Sequence, residues 1–385
     1  MVNLLPAILI GGPPHAGKSV LFSNLTRALS RRGIQHHAIR ACPDGEGNWS
    51  QEIDQETVRL IRIKGQWSEE FINGICLDLE RRHLPLLVDM GGHPEVPQHR
   101  IVWHCTHSLL LFRTDKEDYT HLWRKLVNEN GLLPLAQLYS ERTGADTLTS
   151  SNPIIQGTIT SLERGSLTNS PLFEALLERI QDLFTYSIEE LEQTKLDMAP
   201  TELVVHLSPL LKQIAPLATE WEPAMVPTLL DEIPVDTAIA VFGRAPHWLY
   251  CLLAAHAGAQ EFYQFDPRIG WIRPPQLMIS DQTIPEVKYI LQESENAIVL
   301  TVEIVKKHLD YLQAEQIPLP SLTKEKGIVL NGSMPSWFAT ALVRLYRGIG
   351  IDWIACFQPR LKQAVVIASR NVKYAPGDLI PMTNL

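Results

Sequence analysis

The string Gly12-Pro-Pro-His-Ala-Gly17-Lys18-Ser19 sets two glycines, a lysine and a hydroxyl at the spacing GxxxxGK[ST]. Each residue type has a task in gripping a polyphosphate. The glycines let backbone amides turn inward on a β-phosphate, Lys18 brings a positive charge to the β- and γ-phosphates, and Ser19 offers a hydroxyl to magnesium. Gly12, His15, Gly17, Lys18 and Ser19 are therefore expected to line a magnesium-bound nucleotide such as ATP. A carboxylate at the end of a buried strand must complete the metal site. Leu86-Leu-Val-Asp89 is an apolar run ending in an acid, with Gly91-Gly92 just beyond, so Asp89 is expected to hold magnesium through water. Asp44, in Cys42-Pro-Asp44-Gly-Glu-Gly, fits either an acceptor-substrate contact or a simple turn. His93 is a γ-phosphate contact or a surface histidine. Arg113, Arg142 and Arg164 are arginine fingers or solvated charges.

A second set of chemical residues lies past the middle of the chain. Gly243-Arg244-Ala-Pro246-His-Trp248 is followed by Phe265-Asp266-Pro267-Arg268-Ile-Gly270. Arg244 stands beside a helix start, where phosphate binding is favoured, and arginine suits bidentate phosphate contacts. Asp266 could bind a metal or orient a reacting hydroxyl, or it could simply pair with Arg268 in a turn. The arrangement recurs. Ala238 to Gly243 is matched by Gly327-Ile-Val-Leu-Asn331-Gly332, Pro246 and Trp248 by Pro335 and Trp337, and Phe265 to Ile269 by Phe357-Gln358-Pro-Arg360-Leu361. The offset is about 90 residues, the mark of an internal repeat.

The elements that must position these residues follow from periodicity. Leu4–Gly11 reads as a buried strand, and Lys18–Arg32 as a helix ended by Gly33. Strands are expected at 35–39, 84–89, 108–112, 133–138 and 154–159. Helices are expected at 68–82, 118–130 and 171–192, the first and last capped by Ser68 and Ser170. Strands alternating with helices predict a parallel sheet covered on both faces. The pattern loosens around Lys195–Thr201. This divides the chain into a phosphate-loop NTPase domain over 1–198 and two small α/β repeats over 199–290 and 291–385, packed as a pseudo-dimer. Glu202–Leu207 and Ala297–Ile304 are the expected opening strands of the repeats. Trp248 and Trp337 fall in apolar helical stretches and are expected in the core.

The repeated motif resembles the small CRISPR-associated ring nucleases of the Csx type that accompany type III systems. The resemblance covers about residues 203–275 and 297–382, and the second copy keeps Pro376-Gly377-Asp378 like the family's closing turn. It implies cleavage of a cyclic oligoadenylate messenger to linear products with help from manganese, by dimers stacked on either side of the ring. A fused, AAA-like ATPase domain is also a known arrangement in this family. On this resemblance Asp266, which could also take manganese, and Arg268 are the catalytic candidates. Gly243, Arg244, Asn331, Ser333 and Arg360 are the ligand contacts. The family's catalytic histidine follows the helix, at a place corresponding to Gly258. His256 stands nearest, and the second copy has none. That copy also has Gln358 for the aspartate and Ser333 for the arginine, which marks it as degenerate for catalysis.

Composition narrows the partners. A net charge of -9 argues against a general affinity for long nucleic acid, which needs a broad basic surface, though not against a small anion held by a few arginines. The five cysteines are scattered without a CxxC pair, which speaks against a disulfide framework or zinc knuckle and for a reducing cytoplasm. No stretch reaches the roughly 18 apolar residues of a membrane span, and the short apolar start reads as a strand. Three functions are compatible with the sequence. These are a ring nuclease with an ATP-binding domain that gates it or supports homo-oligomer assembly, a messenger sensor that regulates its own ATPase, and a small-molecule phosphate-loop kinase.

Overall fold

The computed structural model describes the chain except residues 1–4, 43–67, 93–95, 164, 166–168, 281, 283, 306–308 and 383–385. It is a mixed α/β protein with two compact units, Met1–Lys195 and Leu196–Leu385. Among the described residues no helix is long and apolar enough to cross a membrane.

In the first unit the elements are β1 (Ala7–Gly11), α1 (Lys18–Arg31), β2 (His37–Ala41), α2 (Glu69–Glu80), β3 (Leu86–Met90), α3 (Val96–Trp103) and β4 (His107–Phe112). Then come α4 (Glu117–Glu129), β5 (Leu133–Glu141), β6 (Thr147–Ser150), β7 (Ile155–Thr160), α5 (Pro171–Phe184) and α6 (Ile188–Asp197). The strands form one sheet in the order β2-β3-β1-β4-β5-β7-β6. Its pairings are parallel except β6 with β7, an edge strand that periodicity did not predict. β1 shows why a continuous apolar run forms a central strand. Ala7 and Leu9 pack into the cluster beneath α2, α3 and α4, and Ile8 and Ile10 into the one beneath α1 and α5. The caps at Ser68 and Ser170 form as expected, each hydroxyl accepting from the amide three residues on.

The second unit begins with β8 (Leu203–His206), α7 (Leu207–Ile214), α8 (Val226–Asp231), β9 (Ile239–Phe242), α9 (His247–His256), β10 (Phe262–Asp266) and β11 (Gly270–Ile272). It continues through β12 (Met278–Ile279), β13 (Val287–Glu293), β14 (Ala297–Ile304), β15 (Pro318–Leu319), β16 (Gly327–Asn331), α10 (Ser336–Gly348), β17 (Trp353–Gln358), β18 (Gln363–Ser369) and β19 (Leu379–Pro381). One sheet has the order β11-β10-β9-β8 and another β13-β14-β16-β17-β18-β19, with a short β12-β15 pair beside them. In each large sheet three neighbouring strands run parallel, β8-β9-β10 and β14-β16-β17, and the next strand turns back antiparallel. Residues of both sheets, α9 and α10 share one apolar cluster. α9 is buried from Trp248 to Ala255 without a polar stripe, as a helix enclosed on all sides must be. Trp248 and Trp337 are both core residues.

Candidate functional site

In the first unit, β1 delivers the chain to a loop that turns beside β4 and enters α1. Gly12 makes the turn at φ 144°, and a Cβ there would fall 1.9 Å from the Leu111 carbonyl oxygen, so only glycine fits. Lys18 is buried at the start of α1, its Nζ donating to the Pro13 carbonyl at 2.8 Å across the loop. The loop is braced from two further sides. Arg113, just beyond β4, donates to the His15 carbonyl at 3.2 Å and is itself held by both oxygens of Asp115. That hydrogen-bonded pair pushes the Arg113 guanidinium further up and the exposed Asp115 carboxyl down. Gly92, after β3, lies so close to the loop that a Cβ would meet the Pro14 nitrogen at 2.5 Å.

Asp89, near the end of β3, is 1% exposed and sits next to Ser19 through an intermediary that no motif announces. Arg40 of β2, in register with Asp89, donates from Nη2 to Ser19 Oγ at 3.3 Å, and its Nε lies 3.5 Å from Asp89 Oδ2. Ser19 and Asp89 therefore share a common point, and a hydroxyl with a carboxylate is a hard-oxygen donor set that suits magnesium. Arg142 is exposed beyond β5. Asp44, His93 and Arg164 lie outside the described residues.

In the second unit, Gly243 follows β9 and Asp266 ends β10, neighbouring parallel strands whose last register pair is Val241 with Gln264. Asp266 is almost fully buried and accepts three bonds from Arg268. These run from the backbone N at 2.8 Å and Nε at 3.1 Å to Oδ1, and from Nη2 at 2.8 Å to Oδ2. Arg268 keeps 70% of its side chain exposed, so a rigid carboxylate presents a guanidinium to solvent. The hydrogen bond to Asp266 raises the Arg268 pKa further. Tyr250, one turn into α9, donates its hydroxyl to the Gly243 carbonyl at 2.5 Å. Burial, with the charge of Asp266 behind it, pushes that phenol up to about 12, so it stays a donor and fixes the Gly243–Arg244 bend. Arg244 itself is exposed.

The second sheet builds the corresponding end from β16 and β17. Asn331 accepts from the Gly332 amide at 2.8 Å and donates to Thr301 Oγ1 at 3.2 Å; Ser333 is exposed. Arg360 reaches Glu220 at 3.2 Å, with both side chains largely in solvent. The two ends face the same way. His247, first residue of α9, is partly buried and hydrogen-bonded to the backbone of Pro335, which precedes α10, and desolvation holds its pKa below the ordinary 6.5. Thr340 of α10 bonds Gln264 of β10 at 2.8 Å.

His256 is not brought to this end. It closes α9, hydrogen-bonds the Ile233 carbonyl at 2.8 Å, and lines a pocket of about 210 Å³ with Arg347, Ser369 and Arg370. α9 runs from His247 to His256, so His256 lies about 13 Å along the helix from its start, at the end opposite the Gly243–Arg244 bend. Among the described residues no group of three or more His, Cys, Asp or Glu side chains is placed to hold a metal, and both oxygens of Asp266 are engaged by Arg268. The residues at this end therefore do not form a manganese cage of their own.

Residues 302–381 match the family described as CRISPR-associated protein (Cas_csx3). This match supports a CRISPR-associated protein. It runs from within β14 to the end of β19 and includes Asn331, Ser333 and Arg360. It does not reach Gly243, Arg244, Asp266 or Arg268. The matched stretch is thus the one that carries Gln358 and Ser333 in place of an aspartate and an arginine. No curated protein matches the chain.

Arg40, Tyr250 and His247 escaped sequence reasoning. Arg40 needs the β2–β3 register, which periodicity does not give. Tyr250 had a usable signal, since a residue one turn into the expected helix points back toward the N-terminal bend.

Proposed function

We propose that the second unit binds a cyclic oligoadenylate at the end where α9 and α10 begin and cuts its phosphodiester backbone. We further propose that the first unit is a phosphate-loop domain whose ATP site gates this activity or supports assembly. The observation that carries the reading is the convergence of the two helix starts through His247 and Pro335. It gathers Arg244, Arg268 and Arg360 with two positive helix ends around one surface. A ring of phosphodiesters with adenines outside asks for such a set of arginines, and two matched half-sites suit a ligand that repeats its own unit. The copies would then form a pseudo-dimer within one chain.

Cleavage needs the 2′-oxygen of one nucleotide to attack the adjacent phosphorus in line. The 2′-hydroxyl loses its proton to solvent as the P–O2′ bond forms, the P–O5′ bond breaks, the 5′-oxygen takes up a proton from solvent, and the ring opens to a linear product with a cyclic phosphate end. Arg268, held by Asp266, is placed to offset the charge that develops on the phosphoryl oxygens. His256 cannot serve the same phosphate from its own unit. Chains stacked on either side of the ring, as the family resemblance implies, would bring the His256 end of one to the Asp266 end of the other if they stack head to tail, and that order is part of the proposal. A homo-oligomer is therefore part of the proposal.

In the first unit Ser19 and Asp89 would hold magnesium, which supplies charge neutralisation at the nucleotide phosphates. Lys18 would leave Pro13 for the β- and γ-phosphates, and His15 and Gly17 would present backbone amides.

The full engagement of Asp266 by Arg268 also favours a second reading, a sensor that holds the ring and alters nucleotide binding next door without cutting. Incubating the whole chain with cyclic tri-, tetra- and hexa-adenylate, with magnesium or manganese and with or without ATP, separates the two by chromatography. Linear products support the nuclease, and intact but tightly bound rings support the sensor.

A further inference from the structure

Arg40 carries chemistry that the phosphate-loop reading leaves unexplained. It projects from β2 onto the two residues assigned to magnesium, with Nη2 3.3 Å from Ser19 Oγ and Nε 3.5 Å from Asp89 Oδ2. The place is withdrawn from water, since Asp89 is 1% and the Arg40 side chain 14% exposed. A buried carboxylate there requires a counter-charge. A magnesium ion binds oxygen at about 2.0–2.1 Å and keeps several waters, so it needs the space between those oxygens. A guanidinium in contact with both covers that approach, and two cations would repel one another in so dry a place. The grip is loose enough to release. The Asp89 contact is an ion pair without hydrogen-bond geometry, and the buried Nη1 of Arg40 has no hydrogen-bond partner among the described residues.

We propose that Arg40 is a built-in counter-cation. It covers the approach to the two oxygens that would hold magnesium, must swing aside for the metal to enter, and so sets how much free magnesium nucleotide binding requires. The inference rests on the nucleotide reading of the first unit. It predicts a site that discriminates against bare nucleotide and bare metal, because only the two together repay the displacement of Arg40 from Asp89.

The test is an equilibrium titration of the full chain with a fluorescent ADP analogue across a range of free magnesium, for wild type, Arg40→Gln, Arg40→Lys and Lys18→Ala. The magnesium concentration that half-tightens ADP binding should fall about tenfold or more in Arg40→Gln. Should the glutamine variant fail to fold, the Arg40→Lys variant carries the test. A single ammonium cannot span both oxygens as the guanidinium does, so its midpoint should move the same way by a few-fold. In wild type the Nε–H resonance of Arg40 should shift on adding magnesium with ADP and stay unmoved by either alone. An unchanged midpoint and an unmoved resonance would overturn the proposal. So would a uniform loss of ADP affinity at every magnesium level, which would make Arg40 a phosphate ligand instead. Absence of ADP binding in wild type, equal to that of Lys18→Ala, would overturn the nucleotide reading itself and this inference with it.

Discussion

Replacing Thr340 by valine removes one hydroxyl from between α10 and β10 and leaves the shape of the side chain almost unchanged. Thr340 is fully buried and Gln264 is 1% exposed, so water cannot compensate the loss. The hydroxyl has two acceptors within reach, Gln264 Oε1 at 2.8 Å and the Trp337 carbonyl at 3.0 Å, but only one proton. Either the proton goes to Gln264, or the amide is turned so that Gln264 donates to Oγ1 while the hydroxyl donates to Trp337. In both cases the valine strands one polar atom of the Gln264 amide in the core, at a cost of about 1–3 kcal/mol. For a unit of this size a loss of about 2 kcal/mol lowers its melting temperature by roughly 4–8 °C. Thermal unfolding of the intact chain, followed by calorimetry, should show that drop in one transition. The double variant Gln264→Met/Thr340→Val should recover to within about 1 kcal/mol of wild type, because no buried group is then left unpaired. A Thr340→Val protein that melts as wild type does, or a double variant that melts lower still, would refute the claim that this bond ties the two halves of the second unit together.

Two further outcomes follow from named contacts. Gly92→Ala sets a Cβ 2.5 Å from the Pro14 nitrogen, so the loop must shift. Nucleotide affinity should fall by about tenfold or more, measured with the same ADP analogue, with little change in the melting of the second unit. His247 is held neutral by burial, and the unfolded chain charges it once the pH drops below its ordinary 6.5. Its contribution to stability is therefore complete above that value and lost as the pH falls through it toward the folded pKa. Melting between pH 7.5 and 5.5 should fall more steeply in wild type than in His247→Gln, in which the group that titrates is gone; equal slopes would show that His247 is not buried as described.

The sequence was most informative where burial is two-sided. β1 throughout, and β3, β4 and β14 over Leu86–Val88, Leu109–Phe112 and Ala297–Leu300, appear as apolar runs because both faces are covered there. Ser68 and Ser170 announce their helices because a hydroxyl three residues before a bare amide has one use. The spacing of Gly12, Gly17, Lys18 and Ser19 reports backbone geometry directly, so the loop between β1 and α1 could be located to the residue. Edges were harder. β6, at Thr147–Ser150, is exposed along most of its length and lacks an apolar face to betray it. Ending the second strand at Ile39 instead of Ala41 left Arg40 in a loop, out of reach of Asp89. The placement of His256 failed for a different reason. Sequence distance to Asp266 is short, but α9 and β10 run in opposite directions, so residues on either side of their connection share one end while Asp266 lies at the other.

The claim at the centre of this account is that the Asp266 end of the second unit opens a cyclic oligoadenylate with help from a stacked copy. It is tested most directly by product chromatography on wild type, Asp266→Ala, His256→Ala and an equal mixture of the two variants, with Lys18→Ala alongside to read the influence of the proposed nucleotide site. Linear oligoadenylate from wild type, none from either Asp266→Ala or His256→Ala alone, and products regained in the mixture are the predicted result. Intact rings in the wild-type sample under every metal and nucleotide condition would contradict it.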